Sequence, residues 1–128
     1  MASMEELRKN PMMRHLLDAL ESGEDIGHYG RLVFVMVARH FLSKDELISV
    51  LSRGGDCDEP KARALVSQVE QHGYTPPSRA KILEFQSRQS FPIVPNPDDP
   101  DQANVYRDLQ FPDAVYGRIE EYYEDKTC

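Results

Sequence analysis

Cysteine is scarce in this chain: Cys57 and Cys128 are the only two among 128 residues. That excludes a secreted disulfide framework and any site that needs four thiolates. Histidine is thinly spread as well, at positions 15, 28, 40 and 72. With no His-x-x-x-His spacing, no zinc site and no metal ligand set is expected. Long apolar runs are missing: the longest, Leu32 to Ala38, falls far short of the ~20 residues of a membrane span. Nor does a charged start followed by an apolar stretch open the chain as a signal peptide would, so the expectation is a cytoplasmic protein with no membrane partner.

A surplus of basic residues is also missing. Fifteen Lys and Arg stand against 22 Asp and Glu, a net charge of −7, which rules out a uniformly basic coat for nucleic acid. The deficit is uneven. Residues 1–54 carry 7 basic and 8 acidic side chains, residues 55–90 carry 5 and 5, and residues 91–128 carry 3 and 9. The acidity belongs to the last third, and the first 90 residues can still display a local basic face. A length of 128 residues fits one domain, or one domain with a tail.

Helix signals run through the first two thirds. Ser3 and Glu6 have capping-box spacing, and Asn10-Pro11 reads as a cap and first residue of a helix to about Leu20. Gly27 to Leu42 is apolar on nearly all sides and is expected to be the central, buried helix. Ser43 and Glu46 open a helix over Lys44 to Ser52, closed by Arg53-Gly54-Gly55. Asp58 or Glu59 before Pro60 starts another, ended by His72-Gly73, and a short helix follows from Arg79 to Ser87. Phe91 to Asp101, with four prolines and three aspartates, reads as an extended arm rather than a core element. Phe111-Pro112 introduces a last helix through Tyr123, whose Tyr116, Tyr122 and Tyr123 pack on the domain or dock a partner. The expected fold is all-α: a compact bundle of about five helices over residues 1–90, then a Pro-rich acidic arm and C-terminal helix over 91–128.

No Ser/His/Asp or Cys/His set, phosphate-binding glycine loop or flanked carboxylate pair can be assembled, so no catalytic residue is assigned and the chain is not read as an enzyme. The segment with a distinct chemistry is Gly27-His28-Tyr29-Gly30-Arg31, at the start of the central helix. Unpaired N–H groups and the positive end of the helix dipole favour a phosphate there. His28 and Arg31, three apart, share a face, and Gly27 and Gly30 leave room for a ligand to reach the backbone. Arg31, expected to be exposed, offers a bidentate grip. The competing structural account has His28 capping the helix, Arg31 pairing with Glu24 or Asp25, and Gly30 allowing tight packing. Arg79 and Lys81 extend a basic strip or are simply solvated; Tyr74 stacks a base or packs on Pro76 and Pro77. Cys57, between Asp56 and Asp58, reads as an apolar filler.

Three separated segments resemble the C-terminal domain of the large, non-catalytic subunit of archaeal and eukaryotic DNA primase. Asn10-Pro11-Met12-Met13 followed by His28-Tyr29-Gly30-Arg31 is similar to that family's Pro-Cys start and His-x-Gly-Arg helix. Leu42 to Ile48, and Gly55 to Lys61 followed by Ser67 to Glu70, are similar to its next two helices, and Tyr74-Thr75-Pro76-Pro77-Ser78 to its Tyr-Thr-Pro-Pro-Ser-Cys loop, in the same order. The family holds a four-iron, four-sulfur cluster on cysteines; Met12, Arg79 and Phe91 stand at corresponding positions here, so no cluster or other cofactor is expected. Ala62, Ala64 and Ser67 lie where the eukaryotic form has aromatic template contacts. The pattern looks like the cluster-free third subunit of some archaeal primases. The resemblance implies that His28 and Arg31 bind the triphosphate of the initiating nucleotide or primer 5′ end. It also implies single-stranded DNA template or primer-template, a catalytic primase subunit and a large primase subunit as partners. A protein-interaction subunit of a replication complex, with no nucleotide site, is the alternative.

Overall fold

The computed structural model describes residues 3–54, 57–96, 98, 105, 109 and 111. Among them it has six helices and no strand: α1 (Ser3–Leu7), α2 (Pro11–Glu21), α3 (Gly27–Ala38), α4 (Lys44–Arg53), α5 (Glu59–His72) and α6 (Arg79–Ser87). The fold is all-α, as its helix signals imply. Four of these helices begin on a side chain that accepts one of the N–H groups a helix start leaves unpaired. Asn10, wholly buried, accepts from Met13 N–H at 3.0 Å, with Pro11 as the first helical residue. Ser43 and Glu46 exchange bonds of 3.2 and 3.1 Å in a full capping box. Those bonds hold the Glu46 carboxyl below its ordinary range. Asp58 opens α5 and Ser78 opens α6, and left-handed Gly73 (φ 61°) ends α5.

Two boundaries differ from expectation. Ser3 lies inside α1 rather than capping it. α3 stops at Ala38 instead of Leu42, because the chain tightens there: His40 N–H donates to Val37 O and Phe41 N–H to Ala38 O, at 3.3 and 2.9 Å. That turn drops Leu42 into the core immediately before the Ser43 cap.

α3 is the central element and packs against α2, α4, α5 and α6. Every residue from Val33 to Ala38 is buried, the outcome of a helix with no polar face along that stretch. α2 adds Met12, Met13, Leu16, Leu17 and Leu20, and α4 adds Leu47 and Leu51. No helix among the described residues is long and apolar enough to cross a membrane.

The arm corrects the sequence reading. Ile93 and Val94 are buried to 0% and 1% exposure in the same core, as are Val105, Leu109 and Phe111. Val94 N–H donates to Gln86 Oε1 at 2.7 Å, and His15 both stacks on Phe91 and bonds Pro92 O through Nε2 at 2.8 Å. The prolines do prevent a helix here, but Ile93 and Val94 between them still gain about 1.5–3 kcal/mol each from full burial. The helix expected from Phe111 to Tyr123, with Tyr116, Tyr122 and Tyr123, lies outside the described residues apart from Phe111.

Candidate functional site

Gly23, with φ 79°, turns the chain out of α2, and Gly27, with φ 78°, turns it into α3. The residue that precedes α3 is Ile26, which has no acceptor in its side chain, so the first N–H groups of α3 must be satisfied from elsewhere. Asp25 accepts from Gly27 N–H at 2.9 Å. Gln89, sixty residues further on, places Oε1 at 2.9 Å from Tyr29 N and 3.4 Å from Gly30 N. Its Nε2 donates to Ile26 O and Phe91 O, at 2.8 and 3.1 Å. Both ends of the Gln89 carboxamide are thereby used.

This geometry corrects the roles expected of several residues. A Cβ on Gly27 would sit 2.5 Å from Gln89 Oε1, so the space that Gly27 leaves is filled by Gln89. A Cβ on Gly30 would lie 3.2 Å from Ile26 Cβ, which makes Gly30 a close-packing residue. Arg31 was expected to be exposed, yet its side chain is 14% exposed and its Nη1 lies 3.0 Å from Asp25 Oδ1. Asp25 closes the first turn and pairs with the guanidinium at once, drawing Arg31 inward. His28 makes no cap to the helix start; it is exposed, its ring edge-on to Tyr29 with centroids 5.3 Å apart.

No family model, curated protein or solved structure matches this chain. The site is therefore read from its own chemistry. Among the described residues no group of three His, Cys, Asp or Glu converges as a metal site would. What the start of α3 can do is hold acceptor oxygens, through aligned N–H donors at the positive end of a helix.

The other expected contacts fall in two places. Tyr74 stacks on His72 at 5.1 Å, and its carbonyl accepts from Arg39 Nη2 at 3.0 Å. Arg39 follows the last residue of α3, about 16 Å of helix rise from His28, so Tyr74 belongs to the opposite end of that helix. Lys81 does join the start of α3. Its ammonium lies 5.2 Å from the centre of the Phe85 ring, and that ring stacks on Tyr29 at 5.3 Å and 16°. Arg79, half-buried, is the first residue of α6 and has interactions of its own.

Tyr29, Phe85, Arg88 and Gln89 escaped the sequence reading. Arg88 lies at the Tyr29 side chain and pairs with Glu84 at 2.9 Å, and these two neighbours raise its pKa. Lys81, Phe85 and Arg88 recur at helical spacing, a signal that was there to be used. Gln89 offered none, since its role depends on a partner sixty residues away. An open groove of about 380 Å³ lies elsewhere, lined by Arg8, Lys9, Arg14, His15 and Asp18 among others. Arg8 is paired there with Asp18 and Glu21, and Lys9 with Glu6.

Proposed function

We propose that this chain is a non-catalytic, cluster-free primase accessory domain. At the start of α3 it would hold the triphosphate of the initiating nucleotide, or of the primer 5′ end, on single-stranded template DNA, and present it to a separate catalytic subunit. One observation carries the reading: α3 lacks a cap of its own, and its first-turn N–H groups are met by oxygens borrowed from Asp25 and Gln89. A phosphate oxygen is the same kind of acceptor with a charge added, and charge-assisted bonds of this type are roughly twice as strong as neutral ones. In this reading the triphosphate displaces the Gln89 carboxamide, draws Arg31 off Asp25 and takes a bond from exposed His28. The chain itself performs no bond chemistry.

Calorimetric titration with a nucleoside triphosphate tests it. Arg31→Ala removes a charge-assisted contact of roughly 1.5–3 kcal/mol, lowering affinity about tenfold to a hundredfold. With a catalytic primase subunit present, the same variant depresses formation of the first dinucleotide and leaves extension of a preformed primer nearly intact. Gln89→Ala clears the acceptor position and raises affinity for the triphosphate.

A second reading draws on the same geometry. The donors of α3 are already paired and Arg31 is largely buried against Asp25, which suits a protein-interaction subunit of a replication complex with no nucleotide site. In that case neither the wild type nor Gln89→Ala gives heat with any nucleoside triphosphate.

A further inference from the structure

The face formed by α6 and the start of α3 gathers two exposed cations beside a row of rings. On this face Lys81 and Arg88 share a single carboxylate, Glu84, in a chain whose net charge is −7. Glu84 is shared: Lys81 Nζ lies 3.4 Å from Oε2 and Arg88 Nη2 2.9 Å from Oε1. One negative charge therefore serves two exposed positive ones. Lys81 and Arg88 are seven residues apart on one helix face, about 10 Å along its axis.

Rings run beside this pair. Lys81 rides over Phe85, Phe85 stacks on Tyr29, and Tyr29 meets the exposed ring of His28 edge-on. Arg88 is held at the seam by its ion pair with Glu84. An arginine already held by one carboxylate while its residue stays exposed loses little further freedom when it grips an oxyanion. The groove at the α1–α2 corner contrasts with it, because the Arg8 and Lys9 charges there are met by Asp18, Glu21 and Glu6.

We propose that the α6–α3 face binds single-stranded nucleic acid, with Lys81 and Arg88 contacting successive backbone phosphates and the His28 ring stacking a base. Cations that track a backbone, with rings that accept any base, are the means by which single strands are held without sequence preference. This deepens the function proposed above by laying the strand beside the triphosphate site, and the two can fail separately. An acidic protein surface would use the cations but not the ring, and it is the competing occupant.

The test is fluorescence anisotropy of the full chain with a labelled oligothymidylate, and in parallel with a labelled polyglutamate peptide of equal charge. Binding of the oligonucleotide is expected to fall about tenfold in a Lys81→Gln, Arg88→Gln double variant, with a log–log salt slope shallower by about 1.4, the loss of two phosphate contacts on a single strand. Arg88→Lys keeps most of the affinity, and His28→Ala weakens the oligonucleotide but not the peptide. Arg14→Gln, a cation on α2, changes nothing. Arg31→Ala weakens triphosphate binding about tenfold to a hundredfold while the oligonucleotide binds as before, which separates this proposal from the one above. The proposal is overturned if the wild type does not bind the oligonucleotide, if the double variant binds it unchanged, if Arg14→Gln costs as much, or if the peptide binds equally well. Unchanged thermal unfolding of each variant keeps the comparison one of binding.

Discussion

The two ends of α3 are closed by segments far along the chain, with opposite chemistry. At its start, Gln89 supplies a carboxamide to Tyr29 and Gly30 N–H. Past its end, Phe111 packs edge-on against His40 and Phe41, at 5.6 and 5.4 Å between ring centres. The first seal is made of hydrogen bonds that a stronger acceptor can replace. The second is apolar, and nothing polar can take its place without loss. A helix buried along its middle is thus open to exchange at one end and locked at the other, and the proposed triphosphate site lies at the exchangeable end.

Removing the apolar seal has the largest expected cost. Phe111 is 3% exposed, and Phe111→Ala is expected to lower unfolding free energy in urea by about 3–5 kcal/mol. An effect under 1 kcal/mol would mean that the far end is not locked and would dissolve the contrast. Next comes Gly27→Ala, which puts a Cβ at a left-handed φ of 78° and against Gln89. Strain of about 1–2 kcal/mol adds to the displaced bonds of Gln89 for a total near 3 kcal/mol. Gln89→Ala keeps the backbone and loses only the acceptor. Because the site is half-buried, water replaces part of it, and the cost is about 2 kcal/mol or less.

The smallest effect is a pH dependence at the locked end. Burial first, and then the charge of Arg39, lower the His40 pKa from 6.5 to about 4, and its buried Nε2 has no hydrogen-bond partner among the described residues. The unfolded chain therefore binds a proton before the folded one does. The contribution of neutral His40 is complete above pH 6.5 and is lost as the pH falls from there toward 4. Half-burial tempers the slope, so about 1 kcal/mol is expected between pH 7 and pH 5. His40→Phe should lose that much less stability over the same interval in urea titrations; an equal loss would assign the pH dependence to carboxylates instead.

What could be read in the sequence follows from the same contrast between near and far partners. Asn10-Pro11, Ser43 with Glu46, Asp58 and Gly73 act on N–H or C=O groups within a few residues, so spacing alone revealed them. The burial of α3 followed from an apolar run with no polar face. The closure of its start did not, since Gln89 sits in a turn after α6 and no local pattern sets it apart from other glutamines. The pairing of Arg31 with Asp25 was one of the readings open from sequence, but its depth was not, because 14% exposure depends on what packs around it. Ile93 and Val94 were hidden by the prolines beside them: a residue that forbids a helix says nothing about whether its neighbours are buried.

The remote seals also bear on the order in which the chain is made. Synthesis runs from the N-terminus, so α3 emerges with its apolar middle well before residues 89 to 111 exist to close it. Until then α2, α4 and α5 can gather around α3, but Tyr29 and Gly30 N–H lack the Gln89 acceptor and the far end lacks a ring. Such a half-covered helix is the kind of surface that chaperones hold and that aggregates when they do not. The last part of the described chain to be synthesised thus completes a helix whose middle is already covered, and a nascent chain stalled before Phe111 would leave the His40 and Phe41 rings past its end without their apolar cover.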